Sequence, residues 1–279
     1  MNPLSTTDDQ TKRQIFLKVP AILAIFWIVK LLTTGMGEAF ADYLQFSFMR
    51  NDPSITGIID GIAVLALAAA LIVQFRTHRY VAWIYWLVVS IIGITGTILA
   101  DTVQRQLGGS VNASVIFGVA LAVIFAVWYA SEKTLSIHSI YTKRREAFYW
   151  AVVMATFALG TALGDMTADS LGLGYSGSII LFAILFAIPF IACRFGGLNS
   201  IVAFWFAYVM TRPLGASVAD WLDADAFRGG LGLGTLPVSL CAMVLIAGFV
   251  IYLTVTRVDV PTDADIERSA GKDTNRLPS

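Results

Sequence analysis

Charged residues are scarce in this sequence. They make up 14% of its 279 residues, whereas apolar residues make up 57%, and the mean hydropathy is +0.74. A soluble domain carries about 25% charged residues, so the composition argues against an ordinary soluble protein. The formal net charge is zero, which leaves no basic surface for nucleic acid. The composition is that of an all-α, polytopic membrane protein.

Histidine and cysteine are also rare, with two residues of each. His78 and His138 fall between the apolar runs, while Cys193 and Cys241 fall within them, away from the acidic residues described below. This distribution disfavours a zinc or copper site built on imidazole or thiolate. Nucleotide-binding, Gly-x-Ser-x-Gly and His-Glu-x-x-His motifs are missing. We therefore expect no enzymatic activity and no cofactor, although carboxylate oxygens would suit a bound divalent cation of the Mn²⁺ or Mg²⁺ class.

Eight apolar runs are long enough to cross a bilayer as helices. Basic residues concentrate at alternate ends of these runs, which predicts that both termini are cytoplasmic. The runs then form four hairpins of the same orientation in a transmembrane domain over residues 18–256, between cytoplasmic tails over 1–17 and 257–279. The predicted spans are 19–44, 54–75, 80–103, 110–131, 147–170, 176–194, 198–222 and 233–256.

One spacing recurs in all four hairpins: a tryptophan, a glycine ten residues later and an aspartate five residues after that. It predicts four parallel repeats, at about 18–75, 79–131, 146–194 and 198–256. Fifteen residues span about 22 Å of helix, so each aspartate should lie near the external mouth. The four copies are Trp27/Gly37/Asp42, Trp86/Gly96/Asp101, Trp150/Gly160/Asp165 and Trp205/Gly215/Asp220.

Carboxylates are costly inside a membrane and usually mark an ion or proton pathway. If the odd-numbered helices line one axis, the four repeat aspartates form an acidic ring that binds the ion. Two repeats add a second carboxylate four residues away, Glu38 before Asp42 and Asp169 after Asp165, and residues four apart share a helix face. Like charges stacked in a low dielectric need a proton or a cation between them. We therefore predict that Glu38, Asp42, Asp165 and Asp169 bind a metal ion.

The remaining candidate residues, which would gate the pathway or compensate its charge, also have structural interpretations. The tryptophans suit an aromatic belt at the membrane interface. The repeat glycines either allow close helix packing or mark broken helices, for which Arg212-Pro213-Leu214-Gly215 is the best candidate. Lys30 either snorkels to the interface or acts in the pathway. Arg212 either forms a structural salt bridge or replaces the transported cation when no cation is bound.

The chain resembles the bacterial membrane proteins built from the repeat of unknown function DUF347. The four matching tryptophans carry the resemblance, together with Thr34-Gly35-Met36-Gly37-Glu38-Ala39 and Leu159-Gly160-Thr161-Ala162-Leu163-Gly164-Asp165. It covers roughly residues 19–256 and implies a bacterial inner-membrane protein without implying an activity. Thr97 and Ala216 stand against Glu38 in the other repeats, so we expect the four copies not to be equivalent.

The acidic residues favour a secondary transporter of a small cation, above all a divalent metal ion exported in exchange for protons. Since ATP-binding motifs are missing, an ion gradient must drive it. Two other functions stay open: a non-transporting scaffold or sensor with a structural acidic cluster, and a transporter of organic cations. Aromatic candidates for the latter are Trp83, Tyr85, Trp86 and Phe204. The expected partners are the lipid bilayer, the cation and protons, without nucleic acid, and a homo-oligomer stays open.

Overall fold

The computed structural model describes residues 17–49 and 53–260, and every regular element within these ranges is helical. Eight of these helices are long and apolar enough to cross a membrane, so the chain is an integral membrane protein of the predicted all-α class. Most of both predicted tails lies outside the described residues. The long helices are α1 Ala24–Leu44, α2 Pro53–Arg76, α3 Ala82–Leu107, α4 Ser110–Glu132, α5 Lys143–Asp165, α6 Gly174–Phe195, α7 Ser200–Asp223 and α8 Thr235–Thr256.

The odd-numbered helices form a closed inner ring, in which both α1 and α5 contact α3 and α7. Each even-numbered helix packs chiefly on the inner helix of the next repeat: α2 on α3, α4 on α5 and α6 on α7, while α8 returns to α1. The last repeat therefore completes the circle by covering the first. As a result, the inner helices are mostly buried and the outer helices are mostly exposed, with apolar surfaces that suit lipid.

The first helix begins at Ala24, later than the predicted span over 19–44. Pro20 disfavours a helical conformation of Val19, and the Ala21 N–H donates to the Asp259 carbonyl outside the helix. Residues 17–23 instead form a non-helical segment, which we call the strap. Its first five residues are all buried, so this segment is part of the packed structure.

The strap is tied to several other parts of the same end of the bundle. The Lys18 ammonium contacts the Glu146 carboxylate at 2.5 Å, and both side chains are buried. The strap backbone also makes three hydrogen bonds to segments that follow α2, α4 and α8. These bonds are Tyr80 N–H to Leu17 C=O, Lys18 N–H to Ile140 C=O and Ala21 N–H to Asp259 C=O.

Aromatic side chains fill the end of the inner ring that carries the repeat tryptophans, which we call the tryptophan end. Trp86, Trp150 and Trp205 are at most 5% exposed, so the aromatic-belt interpretation is wrong for these three residues. Beside them, the hydroxyls of Tyr85 and Tyr149 lie 2.5 Å apart. The strap packs into the same hydrophobic cluster. The aromatic residues and the strap therefore close this end of the bundle.

The opposite end, which we call the aspartate end, departs from strict fourfold repetition. After their repeat aspartates, α1 and α5 continue as π-helical turns, Gln45–Met49 and Met166–Ser170. In contrast, α3 and α7 end without such a turn. Because α1 and α5 face each other across the inner ring, the bundle has a twofold character within its fourfold plan.

Candidate functional site

Arg212 extends from α7 into the centre of the inner ring and is completely buried. Its Nη2 donates to Glu38 Oε2 at 2.6 Å, and its Nη1 donates to the Thr34 carbonyl at 2.9 Å. Nη2 also donates to the hydroxyls of Thr97 and Thr161, the latter at 2.7 Å. The interpretation of Arg212 as a salt-bridge partner is therefore correct, and the carboxylate comes from another repeat.

Three of the side chains around this guanidinium occupy equivalent positions in their repeats. Glu38, Thr97 and Thr161 each follow the glycine of their repeat by one residue. The two threonine hydroxyls also approach Glu38 Oε2, at 3.1 and 3.0 Å, so three inner helices converge on one carboxylate oxygen. The fourth repeat has Ala216 at this position and supplies Arg212 from one turn earlier. Thr97 and Thr161 are not among the predicted site residues, although aligning the repeats on their glycines places both at the position of Glu38.

Three carboxylates converge beside this centre, toward the aspartate end. Glu38, Asp165 and Asp220 each offer one carboxylate oxygen, and these oxygens all lie within 4.8 Å of one another. Metal–oxygen distances of about 2.0 to 2.6 Å place two ligand oxygens of one cation at most about 4 to 5 Å apart. The three residues, which we call the carboxylate triad, therefore have a spacing that a single hard cation can bridge.

The other two repeat aspartates lie within electrostatic reach of the triad. Asp42 interacts with Glu38, Asp101 and Asp165, and Asp220 interacts with Asp42. The structure thus brings the four predicted aspartates together at one end of the inner ring.

The predicted metal-binding set differs from the triad. Asp220 belongs to the triad, whereas the predicted Asp42 and Asp169 do not. Asp169 is exposed and lies in the π-helical turn Met166–Ser170 that follows α5.

Two glutamines connect neighbouring aspartates around the ring. Each stands three residues after a repeat aspartate and donates to the aspartate of the next repeat, Gln45 to Asp101 and Gln104 to Asp165 at 2.7 Å. Neither glutamine was predicted. The same position in the fourth repeat is Asp223, which the predicted span over 198–222 leaves in the external connection. It is the buried last residue of α7.

Lys30 lies on α1, two turns before Glu38 and closer to the tryptophan end. It is completely buried, so the prediction that it snorkels to the interface is wrong. Its Nζ lies 3.9 Å from the ring centroid of Phe157 and 4.4 Å from that of Tyr208. Among the described residues, this nitrogen has no hydrogen-bond partner. The guanidinium carbon of Arg212 lies 5.1 Å from the centroid of the same Phe157 ring.

The repeat glycines are positions of close helix packing. A Cβ atom would clash with a neighbouring helix at each of Gly37, Gly96, Gly160 and Gly215. At Gly160 it would lie 2.1 Å from Arg212 Cγ, and at Gly215 it would lie 1.8 Å from Thr34 Oγ1. The close-packing interpretation is therefore confirmed. The broken-helix interpretation is wrong for α7, which continues through Pro213.

Comparison with known families adds a family assignment to this geometry. A family model described as Repeat of Unknown Function (DUF347) matches the chain four times, at residues 25–80, 84–134, 148–195 and 203–259. Each match covers one inner helix and the outer helix that follows it. Comparisons with curated proteins and with solved structures find no match.

Proposed function

We propose that this chain, which belongs to the DUF347 repeat family, is a secondary transporter that exports a small divalent cation in exchange for protons. The observation that carries the proposal is the carboxylate triad, whose oxygens lie within 4.8 Å of one another in a bundle of membrane-spanning helices. Carboxylates at membrane depth are costly and characteristic of ion pathways. Ligands that are all oxygen favour hard cations of the Mn²⁺ or Mg²⁺ class.

The position of Arg212 favours a transport cycle rather than a permanently occupied ion site. Its guanidinium holds Glu38 at 2.6 Å, so a cation that enters the triad must compete with it for this carboxylate. Arg212 then acts as an internal cation, which neutralises Glu38 after the divalent ion has left. Two alternative partners for one buried carboxylate are what a protein needs in order to pass between a loaded and an unloaded state.

The two ends of the bundle support an outward-facing conformation. The positive-inside rule assigns the tryptophan end to the cytoplasm and the aspartate end to the outside. Aromatic residues and the strap close the tryptophan end, while Asp165 of the triad is partly exposed at the other end. Cation release to the outside fits this conformation, and loading from the cytoplasm requires the tryptophan end to open.

A non-transporting membrane scaffold is the second candidate function. The observation in its favour is that Arg212 and the hydroxyls of Thr97 and Thr161 all donate to Glu38 Oε2. Such a network stabilises a bundle without any bound ion. The scaffold differs from the transporter in one testable respect, because its triad has no need to bind a cation.

Calorimetric titration of the purified protein with Mn²⁺ tests the proposal. Wild type and Asp225→Asn, which removes an exposed carboxylate outside the triad, should bind Mn²⁺ saturably. Asp165→Asn/Asp220→Asn should lose this binding while it keeps the wild-type circular dichroism spectrum. If wild type itself binds no Mn²⁺, the metal-transporter proposal is refuted and the scaffold is favoured.

A further inference from the structure

Lys30 is a buried amine that has no role in the transport cycle proposed above. Its side chain is 0% exposed, and within residues 17–49 and 53–260 its Nζ has no hydrogen-bond partner, although a charged ammonium offers three donors. The rings of Phe157 and Tyr208 are its nearest polarisable neighbours. Two aromatic faces replace part of the hydration of an ammonium ion, and the rest of that hydration is lost.

The charges around Lys30 do not offset a positive charge on its amine. Arg212 is the charged group that interacts with it, and this interaction is repulsive. Glu38 already accepts from Arg212, so that pair is neutral as a unit. The titratable residues on the inner and outer helices around α1 are Tyr85, Asp101 and Arg105 on α3, Tyr208, Arg212, Asp220 and Asp223 on α7, and Cys241 and Tyr252 on α8.

The acidic members of that set lie beyond Glu38, at the aspartate end. On α5, which supplies Phe157, the titratable residues are Lys143, Arg144, Arg145, Glu146, Tyr149 and Asp165. Glu146 is paired with Lys18, and Asp165 belongs to the triad. An ammonium at Lys30 would therefore stand beside a guanidinium in a dry interior without an anion of its own. A neutral amine meets no such penalty.

We propose that Lys30 is a neutral amine in this conformation and is the group that takes up and releases the exchanged proton. The proposal rests on the proposed function, because it assigns the proton of that exchange to a residue outside the carboxylate triad. The chemical step adds one proton to the lone pair of Nζ, which converts the amine to an ammonium, and the reverse step removes it.

Arg212 connects the proton on Lys30 to the cation in the triad. A divalent cation that binds Glu38 removes the anionic partner of the guanidinium, which keeps its hydrogen bond to the Thr34 carbonyl and its contact with the Phe157 ring that it shares with Lys30. A protonated Lys30 would repel the guanidinium from that position. Cation binding therefore favours deprotonation of Lys30, and by reciprocity protonation of Lys30 returns Arg212 to Glu38 and expels the cation.

Carbon-13 NMR of labelled lysines tests the protonation state directly. The chain has six lysines, and the Lys30 resonance is identified by its loss in Lys30→Met. A solvated lysine is charged at neutral pH, since its ordinary pKa is about 10.4. We expect the Lys30 Cε shift of a neutral amine at neutral pH without Mn²⁺. The shift of a charged ammonium would overturn the proposal, and this result does not depend on cation binding.

The pH dependence of Mn²⁺ affinity tests the linkage. The linkage is confined to pH values below that at which Lys30 of the cation-free protein loses its proton, because at higher pH the amine is neutral before Mn²⁺ binds. In this acidic range, the affinity of wild type and of the control Lys143→Met, which changes an exposed lysine, should rise with pH more steeply than that of Lys30→Met. The difference should be about tenfold per pH unit, as expected for one linked proton. Lys30→Arg, which is permanently charged, should bind Mn²⁺ more weakly than Lys30→Met at every pH.

Equal slopes in wild type and Lys30→Met over the acidic range in which the Lys30 resonance titrates would overturn the linkage and assign the exchanged proton to the carboxylates. Failure of wild type to bind Mn²⁺ at any pH would instead refute the proposed function. In that case the Lys30 resonance still decides whether the amine is neutral, so the two failures are distinguishable.

Discussion

Arg212 and Glu38 form an ion pair at the centre of the bundle, with 2.6 Å between Nη2 and Oε2. The arginine belongs to the last repeat and the glutamate to the first, 174 residues apart in the chain. The pair therefore joins the two ends of the circle of repeats. Because both groups are buried, removing one partner costs more than replacing both.

Replacing Arg212 should make the stability of the protein depend on Mn²⁺. Arg212→Gln leaves Glu38 buried without a positive partner, which should cost about 3 to 5 kcal/mol. A cation bound to the triad replaces the missing charge, so Mn²⁺ should stabilise this variant more than it stabilises wild type. Thermal unfolding in detergent, with and without Mn²⁺, measures both effects.

A double variant provides the control for this prediction. Glu38→Gln/Arg212→Gln should be more stable than Arg212→Gln alone, because neither charge is left unpaired, and it should respond little to Mn²⁺. Equal Mn²⁺ stabilisation of wild type and Arg212→Gln would argue that Arg212 and the cation do not compete for Glu38.

Close packing at the repeat glycines predicts strong destabilisation by a single methyl group. In Gly160→Ala the new Cβ would lie 2.1 Å from Arg212 Cγ, and in Gly215→Ala it would lie 1.8 Å from Thr34 Oγ1. Overpacking of this kind typically costs about 1 to 3 kcal/mol. The matched control is Gly61→Ala on the exposed α2, where no atom of the described residues lies within 4 Å of the added Cβ. Thermal unfolding should separate the variants, and equal melting temperatures for all three would contradict the packing account.

The glutamine bridges predict an effect on cation affinity from outside the triad. Gln104 donates to Asp165 at 2.7 Å, and loss of such an orienting bond typically lowers metal affinity about 10- to 100-fold. Gln104→Leu should therefore weaken Mn²⁺ binding by at least about tenfold. Gln45→Leu, which removes the equivalent bond to Asp101 outside the triad, should have a smaller effect in the same calorimetric titration. The reverse order would place the cation nearer Asp101.

The strap should loosen as the pH rises. Burial raises the pKa of the Asp259 carboxyl above its usual range, and the Tyr80 hydroxyl donates to this group. Since the folded protein binds this proton more tightly than the unfolded chain, the stabilisation is complete below the usual carboxyl range. It is lost as the pH rises through the raised pKa. The Ala21 N–H, which donates to the Asp259 carbonyl at 2.8 Å, should therefore be better protected at acidic than at neutral pH.

Hydrogen exchange of the strap, corrected for the intrinsic pH dependence of exchange, measures this effect. Asp259→Asn should remove the pH dependence of protection, because the amide does not titrate. Asp225→Asn, at an exposed position, should keep it. Protection that is independent of pH in wild type would contradict a role of Asp259 in holding the strap.

Local patterns were enough to predict the spans and the repeat. The Trp–Gly–Asp spacing lies within single helices, so it correctly placed Asp42, Asp101, Asp165 and Asp220 at one end of the inner ring. The partner of Arg212 could not be derived in this way. Spacing along α7 favours Asp220, eight residues after Arg212 on the same helix, whereas Glu38 becomes the partner through the circular closure of the four repeats. Contacts of that kind depend on how the helices are arranged in the bundle, so they cannot be derived from residue spacing along the chain.

Other differences have local causes. The π-helical turn Met166–Ser170, in which Asp169 is exposed, has no signature in the spacing of the carboxylates, and the pairing of Asp165 with Asp169 stays a prediction. The prediction that Lys30 snorkels assumes a side chain that faces lipid. The sequence of a span does not show whether a charged residue faces lipid or the inside of the bundle. Thr97 and Thr161, by contrast, were accessible, because aligning the repeats on their glycines places both opposite Glu38.

Flux of Mn²⁺ into proteoliposomes that are more acidic inside than outside tests the central claim most directly. We predict that wild type and Asp225→Asn accumulate Mn²⁺ in response to the gradient, that collapse of the gradient stops accumulation, and that Asp165→Asn/Asp220→Asn is inactive. Wild-type rates of flux in Asp165→Asn/Asp220→Asn would contradict the claim that the cation crosses the membrane through the carboxylate triad.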